Sequence, residues 1–151
     1  ALRQEPERLS AEAAVQVAEL YGANSMLDEA EGGSEAWIER FIDYWNHPGM
    51  WASMPEKARA MTRPVGWKMF REVCSVSTEP QPFAHYQLDL PLTLVHGERT
   101  TPPAQAMVRR LAEVNPQAVV DTLPGLGHMG LLGDPALVRS SLQRHWGRLR
   151  A

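Results

Sequence analysis

From Leu90 onward, short apolar segments alternate with helical segments. The run Leu90–Gly97 is apolar apart from Thr93 until His96 and ends at a glycine, which is typical of a buried parallel strand. Residues 101–114 follow as a predicted helix, and residues 117–125 as a second predicted strand. Asp134 is a good N-cap for a closing helix. This strand–helix–strand–helix order favours a parallel sheet with a crossover helix.

Before residue 90 the chain is predicted to be helical. Ser10 and Ser34 are N-cap residues for two helices, and a third helix follows Pro64. The second helix has a stripe of apolar side chains at helical spacing: Trp37, Ile38, Phe41, Ile42 and Trp45. Such a stripe is more often part of a core than of a binding site. We therefore divide the chain into a helical region, residues 1–88, and a strand-containing region, residues 89–151.

Composition excludes several classes of function. The length of 151 residues fits one domain, and the net charge of −3 gives no reason to expect nucleic acid or an anionic membrane as a partner. Cys74 is the only cysteine, so an intramolecular disulfide and a cysteine-based metal cage are excluded. No apolar run approaches the roughly 20 residues of a membrane span, and the charged start does not resemble a signal peptide. We expect a reducing, cytoplasmic setting.

One histidine lies on a glycine-flanked turn directly after the second predicted strand. The segment LPGLGHMGLLGDP places His128 beyond the carboxyl end of that strand, where α/β folds keep their chemistry. Gly125 and Gly127 allow the backbone to turn tightly. An imidazole at this place is suited to proton transfer near neutral pH. The alternative is a structural histidine that satisfies a turn or a cap.

The segment from Leu90 to Trp146 resembles the C-terminal end of an α/β-hydrolase-fold enzyme. The resemblance rests on the strand ending in His96-Gly97-Glu98, the helix after it, the last strand, the Gly127-His128-Met129 turn and the final helix. Residues 41–51 resemble the helical cap of a subset of these hydrolases. The resemblance implies that His128 is the general base and acid of a nucleophile–histidine–acid triad. The fold class it implies is α/β, namely the C-terminal part of an α/β-hydrolase parallel sheet preceded by a helical cap.

The sequence departs from this family at the nucleophile. No Gly-x-Ser-x-Gly motif is present, and four serines, Ser25, Ser34, Ser75 and Ser77, lie in helix or loop contexts without a strand before them. The first strands of the family's sheet also have no counterpart. We therefore expect a fold that is incomplete without an N-terminal half. That half would be another polypeptide carrying the nucleophile, either a separate subunit in a heterodimer or a piece of a cleaved precursor.

The family's triad acid has no clear counterpart either. Thr100 occupies the position of the family's aspartate, the fourth residue of a Gly-x-x-Asp pattern. Glu98 is nearby and is a candidate replacement acid. Asp121 lies inside the last strand and suits a structural role, whereas Asp43 suits a pocket or cap hydrogen bond.

The predicted function is a serine-type hydrolase acting on an ester, thioester or amide of a small apolar substrate. Five apolar side chains are candidates for the pocket wall: Trp37, Phe41, Trp45, Trp51 and Met129. His96 is a further residue that could line the site. His47 precedes Pro48 at a helix end and suits a cap, whereas His85 and His145 have no partner at metal-ligand spacing. No metal or organic cofactor is implied. The alternative is a non-catalytic, hydrolase-derived binding or regulatory subunit.

Overall fold

The computed structural model describes residues 5–22 and 26–150, and this part of the chain is mostly helical. Ser25 lies outside the described residues. Short 3₁₀ turns occur at Pro6–Arg8, Arg63–Val65, Phe83–Tyr86 and His128–Leu132. The described α-helices are α1 (Ala11–Tyr21), α2 (Glu35–Trp45), α3 (Met50–Ser53), α4 (Glu56–Thr62), α5 (Gly66–Ser77), α6 (Pro102–Val114) and α7 (Pro135–Leu149).

Side-chain caps begin three of these helices, and the sequence predicted all three. The Ser10 hydroxyl accepts a hydrogen bond from the Ala13 amide at 3.2 Å. The Ser34 hydroxyl accepts one from the Trp37 amide at 3.1 Å. Asp134 caps α7 by accepting from two amides, each at 3.0 Å. Each cap satisfies an amide that has no partner within its helix.

The main core lies between helices α2, α3 and α5. Its buried members are Trp37, Ile38, Trp51 and Phe70. Trp37 meets Phe70 edge to face, with ring centroids 5.7 Å apart, and stacks on Phe41 at 5.2 Å. Cys74 is half-buried and packs against this cluster. The first part of the apolar stripe of α2, Trp37 and Ile38, is therefore buried in this core.

A two-stranded parallel sheet lies in the second half of the described chain. Strand β1 (Thr93–Gly97) pairs with β2 (Val119–Leu123), in a register that places Thr93 beside Val119 and Gly97 beside Leu123. Helix α6 connects the strands, and both α6 and α7 contact the sheet. The parallel pairing agrees with the strand–helix–strand order of the sequence. Both strands are shorter than the apolar runs that predicted them.

The predicted fold class, a C-terminal part of an α/β-hydrolase parallel sheet, is wrong. The structure is 61% helical, and its described residues form only two strands. Two strands of five residues offer too little apolar surface to organise a core, and Val119 and Val120 remain about 40% exposed. The largest buried side chains pack between helices instead. The fold is a small, mostly helical domain with one parallel strand pair.

The helical region, residues 1–88, and the strand-containing region, residues 89–151, contact each other. Helix α1 packs against α6. Arg110, which is buried in α6, donates a hydrogen bond to Glu5 at 2.8 Å and forms an ion pair with Glu113. None of the described helices is both long enough and apolar enough to cross a membrane.

Candidate functional site

The two loops that follow β1 and β2 are held together by backbone hydrogen bonds. The Glu98 amide donates to the Leu123 carbonyl at 2.9 Å, and the Arg99 amide donates to the Leu126 carbonyl at 2.8 Å. A Cβ atom on Gly97 would lie only 2.3 Å from the Gly127 carbonyl oxygen. Only a glycine fits at the end of β1, because the second loop passes directly over it. This close approach places residues 98–100 beside the turn that carries His128.

Thr100 and His128 meet where these loops converge. The Thr100 hydroxyl oxygen lies 2.9 Å from Nδ1 of His128. Thr100 is 5% exposed, and its amide donates to the Gly97 carbonyl at 3.1 Å. The position that carries the aspartate in the resembled family therefore contacts the imidazole here, with a neutral hydroxyl in place of a carboxylate.

The other contact of the imidazole is aromatic. The His128 ring lies against Trp45, with ring centroids 4.2 Å apart and planes tilted by 32°. Burial lowers the pKa of the His128 imidazole below its ordinary value of 6.5, because the charged form loses hydration. The ring is therefore covered on one side by an indole and contacted at Nδ1 by a hydroxyl, and its burial favours the neutral form.

His128 lines an apolar cavity of about 490 Å³ between the two regions. This volume is within the range of small-molecule sites. Helices α1, α2, α5 and α6 form the walls, with the turn after β2 closing one end. Among the described lining residues are four methionines: Met26, Met69, Met107 and Met129. Methionine side chains adapt to ligands of different shapes.

Three of the five predicted pocket residues line this cavity. Phe41, Trp45 and Met129 are part of its wall. Trp37 and Trp51 are instead buried in the core, with 0% and 3% exposure. Phe41 and Trp45 lie on the same stripe of α2 as Trp37, so the stripe divides between core and cavity.

The structure places Glu98 away from a triad role. Its carboxylate accepts a hydrogen bond from the Gly125 amide at 2.7 Å and so holds the turn before His128. Gly125 adopts a left-handed conformation, with φ of 70°. Glu98 thus supports the loop that carries the imidazole, while Thr100 contacts the imidazole itself.

The remaining polar candidates have structural partners outside the cavity. Asp43 accepts hydrogen bonds from the Gly49 and Trp51 amides at 2.7 and 2.8 Å and caps α3. Asp121 forms an ion pair with Arg144 at 2.6 Å. Ring nitrogens of the other histidines contact backbone or hydroxyl oxygens in three cases: His47 with Pro48, His96 with Gly97 and Thr122, and His145 with Thr93.

Sequence reasoning missed the wall residues contributed by α1, α5 and α6. They include Val17, Leu20, Val73, Pro103 and Met107. Val17 and Leu20 are three residues apart, so both lie on one face of α1. The sequence spacing predicts this shared face, but it does not show which other helix packs against the face.

Ser77, at the end of α5, is the one serine among the described lining residues. No hydrogen bond between Ser77 and His128 is present among the described residues. Within the described ranges, no group of three or more acidic, histidine or cysteine side chains is arranged to hold a metal ion.

In comparisons with known proteins, no family model, curated protein or solved structure matches the chain.

Proposed function

We propose that this chain supplies a general base, His128, and an apolar substrate cavity to a hydrolase whose nucleophile lies on another polypeptide. The substrate is a small, uncharged ester, thioester or amide with an apolar acyl or leaving group. The observation that carries the proposal is an imidazole at the wall of an apolar cavity, with its Nδ1 atom 2.9 Å from the Thr100 hydroxyl oxygen. The resemblance of the Gly127-His128-Met129 turn to that of α/β-hydrolases is a second support.

The chemistry assigned to His128 follows from its environment. Among the described residues, no group forms a hydrogen bond with its Nε2 atom, so this nitrogen is free to take a proton. Nε2 removes the proton of the attacking hydroxyl and later returns it to the leaving group. A lowered pKa keeps the imidazole unprotonated at pH 7, which is the form that a base requires.

The cavity supports an uncharged, apolar substrate. Its wall is formed mostly by aliphatic, aromatic and methionine side chains. Glu72 reaches the same cavity, but its carboxylate forms an ion pair with Lys68 at 2.8 Å. A buried charge on the substrate would lack a partner among the apolar side chains, which is costly. We include a cytoplasmic location in the proposal because the chain has a single cysteine.

A specific observation favours a second candidate function, ligand binding without catalysis. Among the residues that the structure describes, no carboxylate contacts Nδ1, so an imidazolium formed during turnover would lack the charge partner that triads provide. In this alternative the cavity binds an apolar ligand, and His128 serves as a hydrogen-bonding wall residue. Replacing His128 would then alter ligand affinity without altering any turnover.

The test is ester hydrolysis by the chain purified together with its partner from the native host. Turnover of p-nitrophenyl esters with acyl chains of increasing length is measured for wild type and for His128→Asn. The matched control is His145→Asn, which removes an imidazole outside the cavity that contacts Thr93 at 2.8 Å. We expect the first variant to lose about 100-fold or more in kcat, which is the usual contribution of a general base, and the control to keep wild-type kcat.

Two results would contradict the proposal. One is equal turnover in wild type and His128→Asn, which would favour the binding function. The other is turnover by the chain alone that is lost in Ser77→Ala, since the nucleophile would then belong to this chain. A preference for longer acyl chains would support the assignment of the apolar cavity as the substrate site.

A further inference from the structure

We propose that the Thr100 hydroxyl accepts a hydrogen bond from Nδ1–H of His128 and thereby fixes the imidazole in the tautomer with an unprotonated Nε2. Thr100 is then a positioning residue, which acts on the reaction through His128. The inference rests on the proposed function, because a free Nε2 lone pair matters only if His128 acts as a base. The tautomer itself can be measured without any substrate.

The first support is that the hydroxyl is held in place before any ligand binds. The Thr100 side chain is buried, and both the amide and the carbonyl of its backbone form hydrogen bonds. Its amide donates to the Gly97 carbonyl at 3.1 Å, and its carbonyl accepts from the Gln105 side chain at 3.1 Å. A threonine side chain has a single χ1 rotation, which its branching restricts. The hydroxyl oxygen therefore has little freedom to leave Nδ1.

The second support is the contrast between the two ring nitrogens. Nδ1 has an oxygen at 2.9 Å, whereas Nε2 has no hydrogen-bond partner among the described residues. A neutral imidazole has one N–H and must place it on one nitrogen. Buried N–H groups without an acceptor are rarer in proteins than acceptors without a donor. The arrangement therefore favours the proton on Nδ1, where Thr100 accepts it.

The third support is that the pairing of the two loops brings the Thr100 hydroxyl, and not the Glu98 carboxylate, to the imidazole. Residues 98–100 are brought to the imidazole by the two backbone bonds between the loops, from Glu98 to Leu123 and from Arg99 to Leu126. The carboxylate closest in sequence to Thr100, that of Glu98, accepts a hydrogen bond from the Gly125 amide at 2.7 Å. The neutral Thr100 hydroxyl therefore orients the His128 ring, and it fixes the tautomer without adding a charge.

The experiment is long-range ¹H–¹⁵N NMR of the histidine rings in the ¹⁵N-labelled chain at pH 8. The five histidines are distinguished by the signals that disappear in His128→Gln. We compare wild type with Thr100→Val, which keeps the side-chain shape and removes the hydroxyl, and with Thr100→Ser, which keeps the hydroxyl. Thr122→Val is the matched control, because it removes a hydroxyl whose oxygen lies 3.0 Å from a ring nitrogen of a different histidine, His96.

We expect the Nδ1–H tautomer of His128 to predominate in wild type, in Thr100→Ser and in Thr122→Val. In Thr100→Val the tautomer ratio should shift about fivefold toward Nε2–H, since a hydrogen bond contributes about that factor. Predominance of Nε2–H in wild type would overturn the inference, as would an unchanged ratio in Thr100→Val. If Thr100→Val does not fold, the wild-type and Thr100→Ser spectra decide the question.

The failure of this inference is distinguishable from failure of the proposed function. The NMR readout concerns the chain without partner or substrate, whereas the hydrolysis assay concerns turnover in the complex. A catalytically silent complex with the Nδ1–H tautomer would contradict the function and keep the inference. An active complex with the Nε2–H tautomer would support the function and contradict the inference.

Discussion

The ring of His128 lies against the indole of Trp45, with centroids 4.2 Å apart, and so joins the end of α2 to the turn after β2. Trp45 also contacts Phe41 and Tyr44 edge to face, at 6.3 and 4.8 Å. The indole therefore links the aromatic side of α2 to the imidazole. Burial lowers the pKa of His128, and the indole is part of the cover that keeps water from the ring.

Trp45→Ala should raise the pKa of His128 toward 6.5, since removing the indole opens the ring to water. We also expect a loss of about 2 kcal/mol in the free energy of unfolding, less than for a fully buried tryptophan. An NMR titration of His128 measures the first effect and urea denaturation the second. Trp146→Ala is the control, because Trp146 is 58% exposed on α7. An unchanged pKa in Trp45→Ala would contradict the role of the indole.

Folding stability should fall as the pH is lowered through the titration range of His128. The folded pKa is below the unfolded value of 6.5, so between the two values the unfolded chain binds more protons. The contribution of His128 is therefore complete above pH 6.5 and is lost as the pH falls through the folded pKa. The difference in unfolding free energy between wild type and His128→Gln, measured from pH 5 to 8, should follow this curve. A difference that does not vary with pH would rule out the lowered pKa.

Gly97→Ala should destabilise the chain and displace the His128 loop. The new Cβ would lie 2.3 Å from the Gly127 carbonyl oxygen and 2.4 Å from that of Leu126, and backbone atoms yield less than side chains. We expect a loss of about 2 kcal/mol in the free energy of unfolding, as for other overpacked sites. In Gly147→Ala the Cβ meets no atom within 4 Å, and a gain of about 0.5 kcal/mol is expected in α7. Equal effects of the two substitutions in denaturant titrations would contradict the close loop contact.

Thr100→Asp should raise the pKa of His128 above that of wild type. A carboxylate in place of the hydroxyl, which lies 2.9 Å from Nδ1, would favour the charged imidazolium. Thr100→Asn has a similar shape without the charge and should leave the pKa close to the wild-type value. Histidine titration by NMR compares the three proteins. Equal pKa values of His128 in Thr100→Asp and Thr100→Asn would show that the side chain at position 100 does not reach the ring.

Local structure was predictable from the sequence because its signals are local. Ser10, Ser34 and Asp134 each cap a helix by binding amides two or three residues away. Short helix α3 was missed, because its cap is Asp43, whose carboxylate binds amides six and eight residues along the chain. The fold class was wrong because it was taken from the resemblance to α/β-hydrolases, whereas the described residues are mostly helical and form only two strands.

The candidate site was predictable only in part. The glycine-flanked turn marked His128, but its contact with Thr100 spans 28 residues and depends on the pairing of two loops. The stripe on α2 showed which side chains are buried, but not that Trp37 faces the core while Trp45 faces the cavity. The cavity forms where four helices pack together, and the spacing of apolar residues in the sequence does not predict which helix faces contact each other.

The most direct test of His128 as a base is labelling of the purified complex by a fluorophosphonate probe, which reacts with activated serine hydroxyls. We expect the probe to label a second polypeptide in the wild-type complex and to label it about 100-fold more slowly in His128→Asn. Labelling at the same rate in His128→Asn, with the complex intact, would contradict the claim that His128 activates the nucleophile.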